Sequence, residues 1–376
     1  MEALRVLELY CGIGGMHLAL KESGIPAQVV AAIDINTTAN LIYKHNFPDT
    51  PLWNKTIEGI PLEDFDKLSF DAILMSPPCQ PFTRIGLQGD ISDPRTKSFL
   101  YILDLLPRLL KLPRLILLEN VKGFETSSAR GRLVKVLTEC GYFFQELMVS
   151  PTSVGIPNSR LRYFLIAKLS SDSWPTAAIA KISDVLSQSV EINPSKQPVV
   201  GAPCPQGAHP VLYKVETTLD VQRKSEQNKD LSVRCIHEFL EPLMEEHISQ
   251  YLLSPKTLLR YALLLDIVQP TCRRSICFTK NYGRYIEGTG SVLQCCPDNT
   301  IDAAFTGFDQ CSDEEKLQRL SKLQLRYFTP REVSNLMGFP PSFNFPKQIS
   351  KIQQYRVLGN SLNVVVVSKL LQLLGS

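Results

Sequence analysis

The sequence predicts an α/β fold with a doubly wound, mostly parallel sheet and a smaller second domain, and three observations lead there. Short segments that are apolar at nearly every position recur through the first 170 residues. Stretches of helical character separate them, and turns rich in glycine or polar residues sit at their carboxyl ends. Strands without polar alternation belong to a sheet covered on both faces, the arrangement that βαβ crossovers produce.

Taken in order, LRVLELY (Leu4 to Tyr10) reads as the first buried strand. A glycine turn follows, and MHLALKESG reads as a helix that ends at Gly24. VVAAIDI (Val29 to Ile35), FDAILMS (Phe70 to Ser76) and RLILLEN (Arg114 to Asn120) are further strands. An amphipathic helix from about Lys97 to Leu110 lies between the last two, and Tyr163 to Lys168 forms a later strand. From 171 to 230 the chain turns rich in Ser, Pro, Lys and Gln, with Pro194, Pro198, Pro203, Pro205 and Pro210 crowded together. That composition predicts a mobile loop. Order is expected again near Leu231 with a helical run, then an amphipathic helix from Lys256 to Pro270 and a glycine-containing strand-like segment from Ser275 to Gln294. Arg326 to Pro341 reads as a turn and a helix with Pro330 in its first turn. YRVLGNSLNVVVVSKLLQLL closes the chain as a loop and a helix, and no internal repeat is visible. The expected organisation is a first domain over 1–170, a second over 171–345, and a segment over 346–376 that returns to the first.

The 376 residues are 44% hydrophobic and 20% charged, ordinary proportions for a globular protein. A net charge of +3 permits a nucleic-acid partner without pointing to one. MEALRVLELY has Glu2 and Arg5 where a signal peptide would be apolar, and no apolar run approaches the length that spans a bilayer. Ten cysteines without a regular framework suggest free thiols, hence the cytosol, with the nucleus as a second location. No CxxC pair occurs, so no metal site is expected.

Four constellations carry chemistry. In Glu8-Leu9-Tyr10-Cys11-Gly12-Ile13-Gly14-Gly15, glycines directly after a strand let the backbone turn sharply and approach a ligand. Asp34, about twenty residues on at the end of the next strand, stands where a carboxylate binds ribose hydroxyls. A dinucleotide site wants a third glycine at position 17, and His17 stands there, which favours an adenosine ligand without pyrophosphate. A plain tight turn fits the same residues. In Ser76-Pro77-Pro78-Cys79-Gln80-Pro81-Phe82, two prolines stiffen the approach to a thiol presented at the sheet edge. Such a thiol is a candidate nucleophile, and equally a buried, inert cysteine. Glu119, at the end of its strand, is a proton donor if burial raises its pKa, or a plain cap or salt-bridge partner. Arg160 and Arg162 alternate, so both face one side of a strand, where they suit a base carbonyl, a phosphate or Glu119. A solvated charged face is the alternative.

The ordered set ELYCGIGG, AIDIN, SPPCQPF, LENVKGF, NSRLRYFLIA, RYFTPREVSNLMGFP and YRVLGNSLNV resembles the cytosine-5 methyltransferase family from Leu7 to about Val367, the central stretch excepted. The resemblance implies a Rossmann-like fold and S-adenosylmethionine as methyl donor, with S-adenosylhomocysteine as its product. It places Tyr10, Gly12, Ile13, Gly14, Gly15, Met16, Asp34, Ile35, Ile57, Glu58, Asn360 and Ser361 around that cofactor. It makes Cys79 the nucleophile and Glu119 the partner of cytosine N3, with Arg160 and Arg162 supporting the base. The second domain would recognise the target. SPPCQPFTRIG, the Cys277-Phe278-Thr279 tripeptide and the absence of a long segment ahead of the motifs are similar to the eukaryotic branch that acts on cytosine-38 in the anticodon loop of tRNA(Asp). Cys11 and Ile13 vary the glycine turn, and Asn158 stands where many relatives have Gln. Arg84, Lys122, Arg273, Arg274 and Lys280 are expected phosphate contacts, with Cys277 among the nucleic-acid contacts. A monomer acting on tRNA, away from membranes, is expected, with duplex DNA as the weaker alternative substrate. An inert cofactor-binding protein and a Rossmann oxidoreductase are the other rivals. A class of RNA enzymes with its nucleophilic cysteine at the position of Glu119 is disfavoured by LENV.

Overall fold

The computed structural model describes residues 3–82, 90–169, 218–242, 244–296 and 299–375. Seven strands, β1 (Leu4–Leu9), β2 (Ala27–Ile33), β3 (Leu52–Trp53), β4 (Ala72–Met75), β5 (Leu115–Val121), β6 (Phe143–Val149) and β7 (Arg162–Lys168), form one sheet in the order β3-β2-β1-β4-β5-β7-β6. The helices α1 (Gly15–Glu22), α2 (Thr37–Asn46), α3 (Leu62–Leu68), α4 (Lys97–Leu105) and α5 (Ser128–Glu139) fall between them. The fold is a mixed α/β, Rossmann-like arrangement.

Each strand expected in the first 170 residues forms, and their burial explains the apolar runs. All four residues of β4 and the first six of β5 are buried. Their side chains alternate between two cores, Leu117 on one face and Ile116 and Leu118 on the other. One core packs α3, α4 and α5 through Phe65, Phe99 and Leu133. The other packs α1, α2 and the last helix through Leu18, Ile42 and Leu370.

Register sets where function can sit. Leu9 pairs with Ile33 and with Met75, and Met75 pairs with Leu118, all in parallel. The residues after each strand therefore emerge at one edge, beside the switch point between β1 and β4 where such sheets bind ligands. β7 runs antiparallel to both neighbours, with Val121 opposite Arg162. This reversal brings the start of β7, and not its end, to the same edge. β6 has no counterpart among the expected strands. It is a half-exposed edge strand with Gln145 and Glu146 inside it, so it carries no apolar run.

The remainder comprises α6 (Thr218–Lys229), α7 (Glu245–Ser249), α8 (Pro255–Tyr261), α9 (Ile301–Phe305), α10 (Asp313–Lys322), α11 (Pro330–Leu336), α12 (Lys351–Gly359) and α13 (Val364–Gly375). A three-stranded sheet joins β8 (Ile267–Val268), β9 (Val292–Gln294) and β10 (Leu325–Tyr327). Several expectations are corrected here. Residues 218–229 of the expected loop are helical, and 170–217 lie outside the described residues. The expected helix Lys256–Pro270 ends at Tyr261, because Asp266 is bound to Arg274 and the next residues pair with β9. Only Val292–Gln294 of the segment 275–294 is a strand. YRVLG lies in α12 and not in a loop. Lys351–Leu374 is apolar enough to cross a membrane by length and composition, with a mean hydropathy of 1.5, against the expectation from sequence. Packing accounts for this, since 67% of that window is buried inside the protein. The nine described cysteines are unpaired.

Gly359 closes α12 against the segment after Cys277. A Cβ there would lie 2.2 Å from the backbone of Thr279 and of Lys280, and neither backbone can swing aside as a side chain would. Gly359→Ala is expected to cost about 1–3 kcal/mol of stability. The check is a lower denaturation midpoint at unchanged slope.

Candidate active site

The glycine turn is built by backbone conformation. Gly12 and Gly14 hold left-handed φ angles of 52° and 87°. The Gly12 N–H donates to Asp34 Oδ2 at 2.9 Å, and the Asn36 N–H donates to Asp34 Oδ1 at 2.8 Å, which holds the carboxylate at the sheet edge. A cavity of about 440 Å³ opens above this turn. Tyr10, Gly12, Ile13, Gly15, Met16, Asp34, Ile35, Ile57, Glu58, Asn360 and Ser361 all line it. Gly14 does not. It is the N-cap of α1, and a Cβ there would fall 2.3 Å from the Phe47 ring, so its role is packing. His17, which displaces the third glycine of a dinucleotide site, stacks on Phe47 at 3.9 Å and contacts the Tyr43 hydroxyl at 2.8 Å.

A second cavity of about 630 Å³ adjoins the first, sharing Ile35, Asn36, Ser76, Pro78, Arg95, Val357, Asn360 and Ser361 with it. Cys79, Glu119, Arg160 and Arg162 line this one. Arg162 Nε stands 3.4 Å from Glu119 Oε1. Burial pushes the Glu119 carboxyl above its ordinary range, opposed by Arg162 and then Arg160. Burial, seconded by the charge of Glu119, pushes the Cys79 thiol up as well. Arg162 and Arg160 favour the thiolate and pull the pKa down without prevailing.

Arg160 is 3% exposed and its amino groups are committed to the protein. Nη1 donates to Cys277 Sγ at 3.2 Å and to the Phe278 carbonyl at 3.0 Å. Nη2 donates to the carbonyls of Gly359, at 3.1 Å, and Ser361. Arg160 thus ties three distant segments together at the cavity wall, and Arg162 is left to face Glu119. Asn158, buried and standing in place of Gln, donates to Ser275 Oγ at 3.0 Å and to the Ile276 carbonyl at 3.1 Å.

Residues 4–376 match the family model described as C-5 cytosine-specific DNA methylase. The chain belongs to that family. It is 59% identical over its full length to the mouse tRNA (cytosine(38)-C(5))-methyltransferase, covering 94% of that protein. The human protein of the same name is 57% identical, with complete coverage of both chains. A crystal structure of a Spodoptera frugiperda DNMT2 mutant superposes with a TM-score of 0.77 at 39% identity, covering 100% of each chain. The present chain is a cytosine-5 methyltransferase.

The expected nucleic-acid contacts of this methyltransferase divide. Arg84 lies outside the described residues. Lys122 is exposed just beyond β5, and Lys280 is half-buried beside Gly359. Arg273 is half-buried and spends its guanidinium on the Val233 carbonyl. Cys277 lies between the two arginines, 3.2 Å from Arg160 Nη1 and 3.9 Å from Arg162 Nη2. Burial opposes its ionisation, and Arg160 and Arg162 together outweigh that and hold the thiol below the usual range. Arg274 is corrected outright. It is 5% exposed and makes a two-point pair with Asp266 at 2.8 and 3.1 Å. Arg274→Ala leaves a buried carboxylate short of its main partner and is expected to cost about 3–5 kcal/mol of stability. It should leave the salt dependence of RNA binding unchanged, whereas Lys122→Ala should flatten that dependence by about one unit of slope.

Glu8, an acidic residue inside an apolar strand, has a structural role that its motif alone does not announce. Fully buried, its carboxyl is pushed up to about 8 by desolvation. It accepts the Tyr43 hydroxyl at 2.8 Å and the His17 N–H at 3.3 Å. Glu8 thereby supplies the first-turn acceptor that α1 lacks, since Gly14 has no side chain to cap with. Asn36, Thr37, Thr38, Arg95, Gln353 and Arg356 also line the second cavity. Asn36 and Arg356 fall inside the AIDIN and YRVLGNSLNV motifs, whereas no motif announced Thr37, Thr38, Arg95 or Gln353.

Proposed function

We propose that the enzyme transfers a methyl group from S-adenosylmethionine to carbon 5 of cytosine in RNA, at cytosine-38 in the anticodon loop of tRNA(Asp), through a covalent adduct with Cys79. The observation that carries this reading is the meeting of Cys79, Glu119 and Arg162 in a cavity that shares a wall with the cavity over the glycine turn.

The first cavity suits the donor. Its volume is in the range of small-molecule sites. The Asp34 and Glu58 carboxylates suit ribose hydroxyls and the adenine amino group, and Ile35 and Ile57 give it apolar walls. Ile35 is 63% exposed, an apolar face that a flat ring would cover. When bound, S-adenosylmethionine supplies an electrophilic methyl group on a sulfonium sulfur.

Carbon 5 of cytosine is a poor nucleophile until the ring loses its conjugation. The Cys79 thiolate forms a bond to carbon 6, and the displaced electron pair makes carbon 5 enamine-like. Glu119 donates its proton to N3 and relieves the charge that develops there. Carbon 5 would then take the methyl group as the methyl–sulfur bond of the bound donor breaks, the electron pair of that bond staying on the sulfur as a neutral thioether. Carbon 5 then loses its proton to solvent while the carbon 6 to sulfur bond breaks, its electrons returning to Cys79, and N3 returns its proton to Glu119. Arg162 stays beside the Glu119 carboxylate whenever it is charged. The base must leave its stack to enter the cavity, and an anticodon loop makes that cheaper than a duplex.

The names of the mouse and human relatives support tRNA as substrate. The test is tritium transfer from labelled cofactor into a panel of tRNAs and into duplex DNA. Label in tRNA supports the reading, and label in DNA alone would overturn it. The unpaired cysteines support a reducing compartment, the cytosol, as its place of work.

A further inference from the structure

A polar cluster stands at the joint between the two cavities, and neither the motifs nor the reaction above assigns it a role. Arg95 lines both cavities. Asp93 grips it at two points, Nε to Oδ1 at 2.8 Å and Nη2 to Oδ2 at 2.6 Å. Asp93 is 8% exposed and also caps the turn Pro94–Thr96 by accepting the Arg95 N–H at 2.9 Å. The remaining amino group, Nη1, donates to Gln80 Oε1. Gln80 is the residue directly after Cys79.

The cluster is moored to the rest of the fold. Thr96 Oγ1 donates to the Asp90 carbonyl at 2.7 Å. The Asp90 carboxylate accepts the N–H groups of Ser128 and Ala129, at 2.5 and 3.1 Å, at the N-terminus of α5. A continuous path of hydrogen bonds therefore runs from α5 through Asp90, Thr96, Asp93 and Arg95 to Gln80. On its other side Cys79 is held by Pro77 and Pro78, whose rings fix their own φ. The sulfur thus sits between a stiff upstream approach and a downstream turn that Arg95 secures.

We propose that Asp93 and Arg95 are positioning residues for the nucleophile: Asp93 aims the guanidinium, Arg95 holds the Gln80 side chain, and that grip sets where Cys79 stands against the wall shared with the donor cavity. The proposal rests on Cys79 being the nucleophile of the preceding section. A displacement of about 1 Å at a reacting atom costs on the order of 10²-fold in rate. Lysine cannot reproduce the two-point grip of Asp93 together with a third bond to Gln80.

The test uses the full-length protein carrying Arg95→Lys, Asp93→Asn and Gln80→Ala, singly and in pairs, with methylation of tRNA and binding of S-adenosylmethionine as readouts. Each single change should lower kcat by about tenfold to hundredfold while KM for the cofactor stays within about threefold. Each pair should lose no more than its worse single member, because the residues act in series. Additive losses, or a raised cofactor KM at unchanged kcat, would overturn the proposal. Should Arg95→Lys fail to fold, the Asp93 and Gln80 variants complete the same cycle. Alkylation of Cys79 by iodoacetamide, followed on the Cys79 peptide, needs no RNA and separates the two readings. Arg95→Lys and Gln80→Ala should change its rate by the same factor, and unequal factors would sink the relay whatever the substrate proves to be.

Discussion

Cys79→Ala is expected to lower methyl transfer on the order of 10⁴-fold or more, because removing a nucleophile removes the covalent route and the groups that act with it. Glu119 and Arg162 would still stand in the cavity, but carbon 5 would keep its aromatic character and receive no electron density from carbon 6. Cofactor binding should survive, since Cys79 lines the second cavity and not the one over the glycine turn. The measurement pairs tritium transfer into tRNA with a cofactor titration on the same variant. Labelled cytosine formed at anything near the wild-type rate would contradict the adduct.

Glu119→Gln should cost about 10²–10⁴-fold, the range for loss of a positioned acid. Its pH behaviour distinguishes that loss from simple disruption. In the wild type, burial raises the pKa of both Glu119 and Cys79, and the negative charge of Glu119 raises that of Cys79 further. As pH rises, Glu119 loses its proton first and its charge then opposes ionisation of the thiol. The active form has the pair arranged the other way, thiolate with protonated acid, so the two must be treated as one coupled titration. Glutamine removes the charge and leaves the arginines in place. The midpoint of Cys79 alkylation should therefore move to lower pH in Glu119→Gln, even as methyl transfer falls. A midpoint that stays put, or moves upward, would separate Glu119 from the nucleophile.

Both predictions concern residues that the sequence made visible, and the reason is local. Cys79 follows a strand, and Glu119 lies near the end of one, whose near-complete burial shows as an apolar run, so their place at the carboxyl edge follows from βαβ geometry. Asp34 is placed by the same logic. The glycine turn and Pro330 are legible because backbone conformation restricts which residues fit. Arg274 shows the opposite case. A charged residue near other charges reads as surface, and only the fold places Asp266 against it. β6 escaped because an edge strand with one wet face has no apolar signature.

The sequence by itself determined the class of fold, the edge at which ligands sit, and the residues that lead onto that edge. These depend on each segment's own period of burial and backbone freedom, which neighbouring residues encode. The tertiary structure decided the rest: the reversed direction of β7 that brings Arg162 to Glu119, the binding of Arg160 to Cys277 and Gly359, and the grip of Arg95 on Gln80. Strand direction and contacts across more than a hundred residues depend on how whole elements pack, and no local run of residues carries that information.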